Sequence, residues 1–301
     1  MIRKIGLISA LMLIPFVLSS FVSVLCADTM PAGFEFIVVS HRGAGYLAPE
    51  NTLSSFQLGW KMGTIPEADI RTTSDGVIVT FHDNDFRRLA PSAPEDIKSK
   101  SIKDLSWSVV STLDVGQYLG EKYKGQRIAR LDEVFDEMRG HPDRWLYLDV
   151  KDVSLERMAK MARSRGIENQ LILATTDYKD IRAWKKMLPT SGTLLWMGAQ
   201  ESVLRKRVAE LRRANFADLT QFQIHVHVGD LNSTEPFSPS SAFLREVARE
   251  VKSKGILYST WVRGSDNPDA YRKLLEVGFD SFSSDDPHVA LKVMREHYAA
   301  R

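Results

Sequence analysis

Between residues 40 and 83 the chain gathers side chains that together could hold a cation and a phosphate ester. Ser40-His41-Arg42-Gly43-Ala44-Gly45 opens the stretch, Pro49-Glu50-Asn51-Thr52 and Glu67-Ala68-Asp69 follow, and Thr80-Phe81-His82-Asp83 ends it. Glu67 and Asp69 are two apart, so on a strand both carboxylates leave the same face. Hard oxygen donors paired in this way suit Ca²⁺ or Mg²⁺ rather than zinc, although a solvated edge strand can carry the same pair. Asp149 ends the apolar run Trp145-Leu146-Tyr147-Leu148, where a charge is costly unless it meets a cation or an active centre. Lys151, two residues on, shares that face and can reach a phosphate oxygen. His41 and His82 each end an apolar run. One imidazole can take a proton while the other gives one near pH 7, although either alone could equally be a structural histidine. Arg42 offers a planar fork matched to phosphate oxygens, and Gly43 and Gly45 let the backbone turn closely around a ligand.

The surrounding pattern alternates short apolar runs with amphipathic stretches. Strands are expected at 34–40, 67–71, 77–81, 145–150, 171–175, 193–197, 222–228, 256–262 and 279–283. Helices are expected at 52–62, 131–138, 181–187, 203–213, 242–252, 270–276 and 289–297, with Pro49 and Asn51 suited to the start of the first. Alternation of this kind implies parallel β/α units, and one core of this size closes most naturally as a distorted (β/α)8 TIM-type barrel over residues 34–301. A doubly wound open sheet is the alternative, but no glycine-rich dinucleotide loop supports it. Nine strands are one too many for the barrel. The surplus is absorbed if Ser74-Asp75-Gly76 turns a hairpin that sets Asp69 roughly opposite His82. Residues 84–130, with Pro91 and Pro94, then form a long insertion or lid on the face where strand C-termini gather.

Lys and Arg number 40 against 38 Asp and Glu, a net +2, so the totals point to neither a nucleic-acid nor a membrane-surface protein. A small anionic ligand needs only a few local charges. The order of Arg3-Lys4, an apolar run from Ile5 to Leu25, and Cys26-Ala27 reads as a signal peptide over residues 1–27. The expected location is therefore secreted or periplasmic, with retention as a membrane anchor the alternative. Cleavage near Ala27 removes Arg3, Lys4 and the single cysteine, which leaves a charge-balanced chain without disulfides.

Taken together, His41-Arg42-Gly43, Pro49-Glu50-Asn51-Thr52, Glu67-x-Asp69, Asp75-Gly76 and His82-Asp83 resemble the glycerophosphodiester phosphodiesterase family. Weaker matches lie at Leu148-Asp149-Val150-Lys151, Trp261 and Ser284-Asp285-Asp286-Pro287. The resemblance implies a distorted barrel, one divalent cation, and hydrolysis of glycerophosphodiesters to glycerol 3-phosphate and an alcohol. It implies Glu67, Asp69 and Asp149 as metal ligands, His41 and His82 as the acid/base pair, Arg42 and Lys151 as phosphate contacts, and Trp261 as a pocket wall. Attack by water and attack by the glycerol's own hydroxyl are both compatible with this set. Three positions depart from the pattern: Asp149 where the family usually has glutamate, Pro66 before Glu67, and Ser284 in place of threonine.

Other residues receive plainer readings. Gln223, His225 and His227 alternate along one expected strand and form a polar barrel lining or an exterior face, with a second metal pair as the alternative. Trp107, Trp184 and Trp196 read as packing residues, and Arg205-Lys206-Arg207 with Arg212-Arg213 as a solvated helix face. Two rival functions remain: a phospholipase D or sphingomyelinase D type barrel acting on intact lipid, and a non-catalytic barrel that binds phosphodiesters. The expected partner is a small-molecule diester, with no nucleic acid, and a membrane only if the N-terminal segment is retained.

Overall fold

The computed structural model describes residues 35–263 and 267–300. The basic-apolar-small segment with Cys26 lies outside the described residues. Eight parallel strands close a barrel: β1 (Ile37–Ser40), β2 (Ile65–Thr72), β3 (Leu146–Asp152), β4 (Leu171–Thr175), β5 (Gly192–Met197), β6 (Gln221–Ile224), β7 (Leu257–Arg263) and β8 (Ser281–Ser284). Closure comes where β1 pairs with β8, from Ile37 opposite Ser281 to Ser40 opposite Ser284. Eight helices wrap it: α1 (Leu53–Met62), α2 (Leu131–Met138), α3 (Leu155–Arg163), α4 (Tyr178–Met187), α5 (Glu201–Arg213), α6 (Ser241–Ser253), α7 (Pro268–Val277) and α8 (Pro287–Ala299). The expected (β/α)8 barrel is therefore the observed fold.

Local chemistry accounts for these boundaries. The Thr52 hydroxyl accepts the Ser55 N–H at the start of α1, and Gly63 ends the helix in the left-handed region at φ 80°. Helix α7 is capped by the Asn267 side chain, with Pro268 in its first turn and Gly278 beyond its end. Helix α3 escapes the sequence reading because Leu155-Glu156-Arg157-Met158-Ala159-Lys160-Met161-Ala162-Arg163 is short and interleaves its apolar residues with four charges. It buries only Met158, Ala159 and Ala162, yet Ser154 caps it. The expected strand 222–228 is broken. Residues Gln221–Ile224 stay in the barrel, while Val226–Val228 pairs with the end of β7 and with Phe237–Ser238 in a small second sheet. The break at His225 leaves it beside the mouth and turns His227 out to solvent.

The surplus strand is Ile78–Thr80. It runs antiparallel to β2, with Thr72 opposite Ile78 and Ile70 opposite Thr80. The Phe81 N–H then donates to the Asp69 carbonyl at 2.8 Å, so His82 stands one residue beyond that pairing. Arg71 fixes that end by donating to the carbonyls of Phe81 (3.1 Å) and His82 (2.7 Å). From there the chain makes the long connection, which buries Phe81, Phe86, Leu89, Ile102, Val110, Val115 and Ile128 in a cluster of its own, with Trp107 packed against it. It is tied to the β1–α1 loop, where the Tyr123 hydroxyl donates to the Leu47 carbonyl (2.9 Å), and to the first turn of α1, where the Ser54 hydroxyl donates to the Gln126 side-chain oxygen (2.8 Å). Among the described residues, no helix is long and apolar enough to cross a membrane.

Helix α1 lies close on β1 and β2 because Gly59 has no side chain. A Cβ there would meet the Gly43 carbonyl oxygen, Pro66 Cγ at 2.8 Å and Ser40 Oγ at 2.9 Å. At an open helix site Gly→Ala stabilises by up to about 1 kcal/mol. Here Gly59→Ala is expected to do the reverse, lowering the urea midpoint because the added methyl wedges α1 off the strand that carries His41.

Candidate active site at the C-terminal mouth of the barrel

The strand C-termini surround a cavity of about 370 Å³ lined by His41, Arg42, Glu67, Asp69, His82, Asp149, Lys151, Trp196, Gln223, His225 and Trp261, among others. Every site residue expected from the sequence meets there. Glu67, Asp69 and Asp149 each offer an oxygen within 4.8 Å of the others. The register explains this: Asp69 lies opposite Asp149 in the β2–β3 pairing, and Glu67 sits two residues down the same face.

Lys151 Nζ contacts Asp149 Oδ2 at 2.5 Å and approaches Asp69 Oδ1 at 3.2 Å. The Arg42 backbone N–H donates to Glu67 Oε2 at 2.8 Å, and its guanidinium donates to Glu50 at 3.0 Å. Arg42 adopts φ 53°, an unfavourable backbone conformation for its residue type. That turn aims both its amide and its side chain into the mouth.

Each imidazole is held through Nδ1 by an aspartate. His41 pairs with Asp285 at 2.6 Å and His82 with Asp83 at 2.7 Å. The anchored nitrogen fixes the ring, so Nε2 is the atom left to exchange protons with a ligand. Burial pushes the His41 pKa down, but hydrogen bonding to Asp285 and the charges of Glu67 and Asp285 more than offset it and raise it overall. Burial opposes ionisation of Asp83 too, but hydrogen bonds from His82 and Arg88 pull that carboxyl below its usual range.

Burial, followed by the charge of Asp69, pushes Glu67 up to about 8. Burial also raises Asp149, whereas at Asp69 burial is outweighed by Lys151, His82 and Arg42, which lower it. Glu67 Oε1 and Asp69 Oδ1 are buried without a hydrogen-bond partner. Crowded carboxylates with one unpartnered oxygen on Glu67 and one on Asp69 met only by the Lys151 ammonium fit a hard divalent cation, which would engage both atoms. A second acidic group, Glu50 with His82 and Asp83, fits no metal. Arg88 already occupies it, donating to Glu50 at 2.6 and 2.9 Å and to Asp83 at 2.7 and 2.8 Å.

Several contributors escape the sequence reading. Asn51, to which the sequence assigns no site role beyond its place in the Pro49–Thr52 motif and at a helix start, sits at φ 56° and clamps Asp69 at both ends: its Nδ2 donates to Oδ2 (2.8 Å), and its Oδ1 accepts the Asp69 N–H (3.0 Å). Trp196 does more than pack, since its indole N–H donates to Asp149 Oδ1 at 3.1 Å and its ring stacks on His225 at 4.9 Å. Trp261 stands 5.3 Å from the His41 ring and 5.0 Å from His225. Gln223 and His225 line the mouth, joined at 3.2 Å, while His227 does not. Trp184 is fully buried, as its packing role requires. Arg205 and Arg212 pair across to Glu246 and Glu250 of the neighbouring helix.

A parallel barrel whose mouth brings together carboxylates, anchored imidazoles, a guanidinium and an ammonium defines a barrel hydrolase suited to an anionic ester. The sequence model of the glycerophosphoryl diester phosphodiesterase family matches residues 41–289. The chain belongs to that family. It is 23% identical over 267 residues to a glycerophosphodiester phosphodiesterase of Caldanaerobacter subterraneus, covering 86% of this chain and 98% of that protein. Among solved structures, an Oleispira antarctica phosphodiesterase in complex with the product sn-glycerol-3-phosphate superposes with TM-score 0.61 at 22% identity, over 86% of this chain and 96% of that one. A Parabacteroides distasonis glycerophosphoryl diester phosphodiesterase gives TM-score 0.66 at 22% identity, over 92% and 93%.

The raised Glu67 pKa makes stability pH-dependent. Folded Glu67 keeps a proton that the unfolded chain releases above its ordinary value of 4.5. The associated stabilisation is present below that value and is lost as pH rises towards about 8. In a chelator, the melting temperature should therefore fall across this window, and Glu67→Gln should flatten the fall. Equal slopes for the two proteins would contradict the assignment.

Proposed function

We propose that the chain is an exported, divalent-cation-dependent hydrolase that cleaves glycerophosphodiesters to glycerol 3-phosphate and an alcohol. The observation that carries this reading is a buried carboxylate oxygen on Glu67 with no hydrogen-bond partner, beside an Asp69 oxygen met only by the Lys151 ammonium, set among two aspartate-anchored imidazoles. Glu67, Asp69 and Asp149 would hold the cation, Ca²⁺ or Mg²⁺ by the hardness of the donors. When bound, it supplies charge neutralisation and Lewis acidity at the phosphate. Export rests on the pattern of residues 3–27.

Arg42 and Lys151 orient the phosphate, and Lys151 balances the acidic face of the mouth. His82 takes the proton of the attacking hydroxyl, whether that belongs to water or to the glycerol. The phosphorus–oxygen bond to the second alcohol breaks, and His41 gives its proton to the departing oxygen; where the glycerol hydroxyl is the attacker, the product of this step is a cyclic phosphate that water then opens to glycerol 3-phosphate. His41 suits the donor role because, against the effect of burial, Asp285 and Glu67 favour its protonated form. Trp261 packs against His41 and walls the site. Among the described residues the exposed large apolar side chains are Tyr46 and Val203, a sparse set for an enzyme docking on intact lipid. The intact imidazoles and their aspartate anchors likewise favour a catalyst over a passive binding barrel.

Glycerol 3-phosphate release from a panel of glycerophosphodiesters tests this directly. His41→Ala and His82→Ala should each lose roughly 10²- to 10⁴-fold in kcat, and a chelator should abolish turnover until Ca²⁺ or Mg²⁺ is returned. Turnover that persists in both variants, or ignores the chelator, sinks the mechanism. Asn51→Gly keeps the left-handed backbone while deleting the clamp on Asp69. Calorimetry should show cation affinity weakened by about 10- to 100-fold with circular dichroism unchanged.

A further inference from the structure

A second cleft, of about 340 Å³, adjoins the first and shares His41, Arg42 and Trp261 with it. The first runs from these residues over the carboxylates to Gln223 and His225. The second runs the other way, between residues 45–50 and the insertion, past Tyr46, Glu50, Arg88, Tyr118 and Asp285. A phosphodiester carries two alcohols, so a phosphate held at the shared residues has one cleft for each. Resting on the hydrolase reading above, we propose that the second cleft is the subsite for the departing alcohol and selects a neutral polyhydroxylated one over a cationic one.

Charge in the cleft argues against a cation. Glu50 already accepts three guanidinium hydrogen bonds, one from Arg42 at 3.0 Å and two from Arg88 at 2.6 and 2.9 Å. Asp285 is held by the His41 ring at 2.6 Å. An ammonium group entering here meets carboxylates already engaged by Arg42, Arg88 and His41 and faces two guanidinium groups, an arrangement that penalises the wrong partner more than it rewards the right one. Aromatic walls alone would accept a quaternary ammonium, but these walls stand beside like charge.

Hydroxyl groups are better matched. Tyr118 accepts the Glu50 N–H at 3.0 Å, and no hydrogen bond among the described residues uses its own hydroxyl proton. Arg88 uses four N–H contacts of a five-donor fork on Glu50 and Asp83, which leaves one at Nη1. Tyr46, 67% exposed at the rim, and Trp261 offer flat faces to the carbon skeleton of a polyol. His41, common to both clefts, stands where it can protonate the oxygen that leaves into the second.

The test uses the full chain and three glycerophosphodiesters that differ only in the departing alcohol: glycerol, choline or methanol. Wild type should show kcat/KM for the glycerol ester at least about tenfold above the choline ester. Tyr118→Phe should cut kcat/KM for the glycerol ester about fivefold more than for the methyl ester, since the methyl group has no hydroxyl to receive the lost donor. Arg88→Gln should narrow the gap between choline and glycerol esters. Equal rates on choline and glycerol esters in wild type, or a Tyr118→Phe effect of one size on all three, overturns the subsite while leaving the hydrolase reading intact. Failure to cleave any of the three overturns the hydrolase reading and the subsite with it.

Discussion

Three carboxylates with oxygens within 4.8 Å of one another, in a mouth where Asp69 is 1% and Glu67 is 7% exposed, repel each other and lose hydration together. Nothing in the packing of a barrel asks for such a cluster. The chain commits cationic and donor groups to hold it: the ammonium of Lys151, the amide of Arg42, the indole N–H of Trp196 and the side chain of Asn51. These contacts leave one oxygen on Glu67 without a hydrogen bond and one on Asp69 with only the ion pair to Lys151. A network that satisfies most lone pairs but leaves these under-used is organised around a charge that is to come.

The groups behind the site are arranged by the same logic. Asp285 and Asp83 hold His41 and His82 from the outside of the mouth, fixing which ring nitrogen faces inward. Glu50 holds Arg42 and Arg88 together, so a guanidinium on the barrel and one on the insertion share a buried carboxylate. Removing Glu50 would leave two cations side by side, which links the position of Arg42 to the docking of the insertion. The substitution of aspartate for glutamate at residue 149 fits this network. Lys151 and Trp196 each take one oxygen of the shorter carboxylate, so its reach is set by partners as well as by its length.

Much of this was legible in the sequence because strands impose a period of two and parallel barrels gather strand ends at one mouth. Glu67-x-Asp69, Asp149-x-Lys151, His41 and His82 follow from those two rules. The missed features obey neither. Helix α3 does carry a helical stripe at Leu155, Met158, Ala159 and Ala162, but it spans only about two turns and is built of small or flexible side chains behind the Ser154 cap, so no long apolar run announces it. The strand expected through residue 228 breaks at His225, and apolar alternation alone does not show that break. Asn51 looks like helix punctuation because its role depends on a left-handed backbone and on Asp69, eighteen positions away in sequence. The pairing of Asp285 with His41 spans the whole barrel and exists only because β8 closes on β1.

The hairpin after β2 explains why the insertion sits where it does. Parallel strands need a crossover, yet β2 first turns back on itself to bring His82 beside Asp69. That return leaves the chain at the barrel mouth. Rather than enter α2 there, the connection first forms a folded unit with its own apolar cluster. It rejoins the hairpin where Val79 bridges Arg130 and the Thr80 N–H reaches the Ala129 carbonyl at 3.0 Å, immediately before α2 begins. A detour that first served to place one histidine thus carries Arg88 and Tyr118 to the edge of the site. The residues that border the second cleft are a geometric consequence of how the first was built.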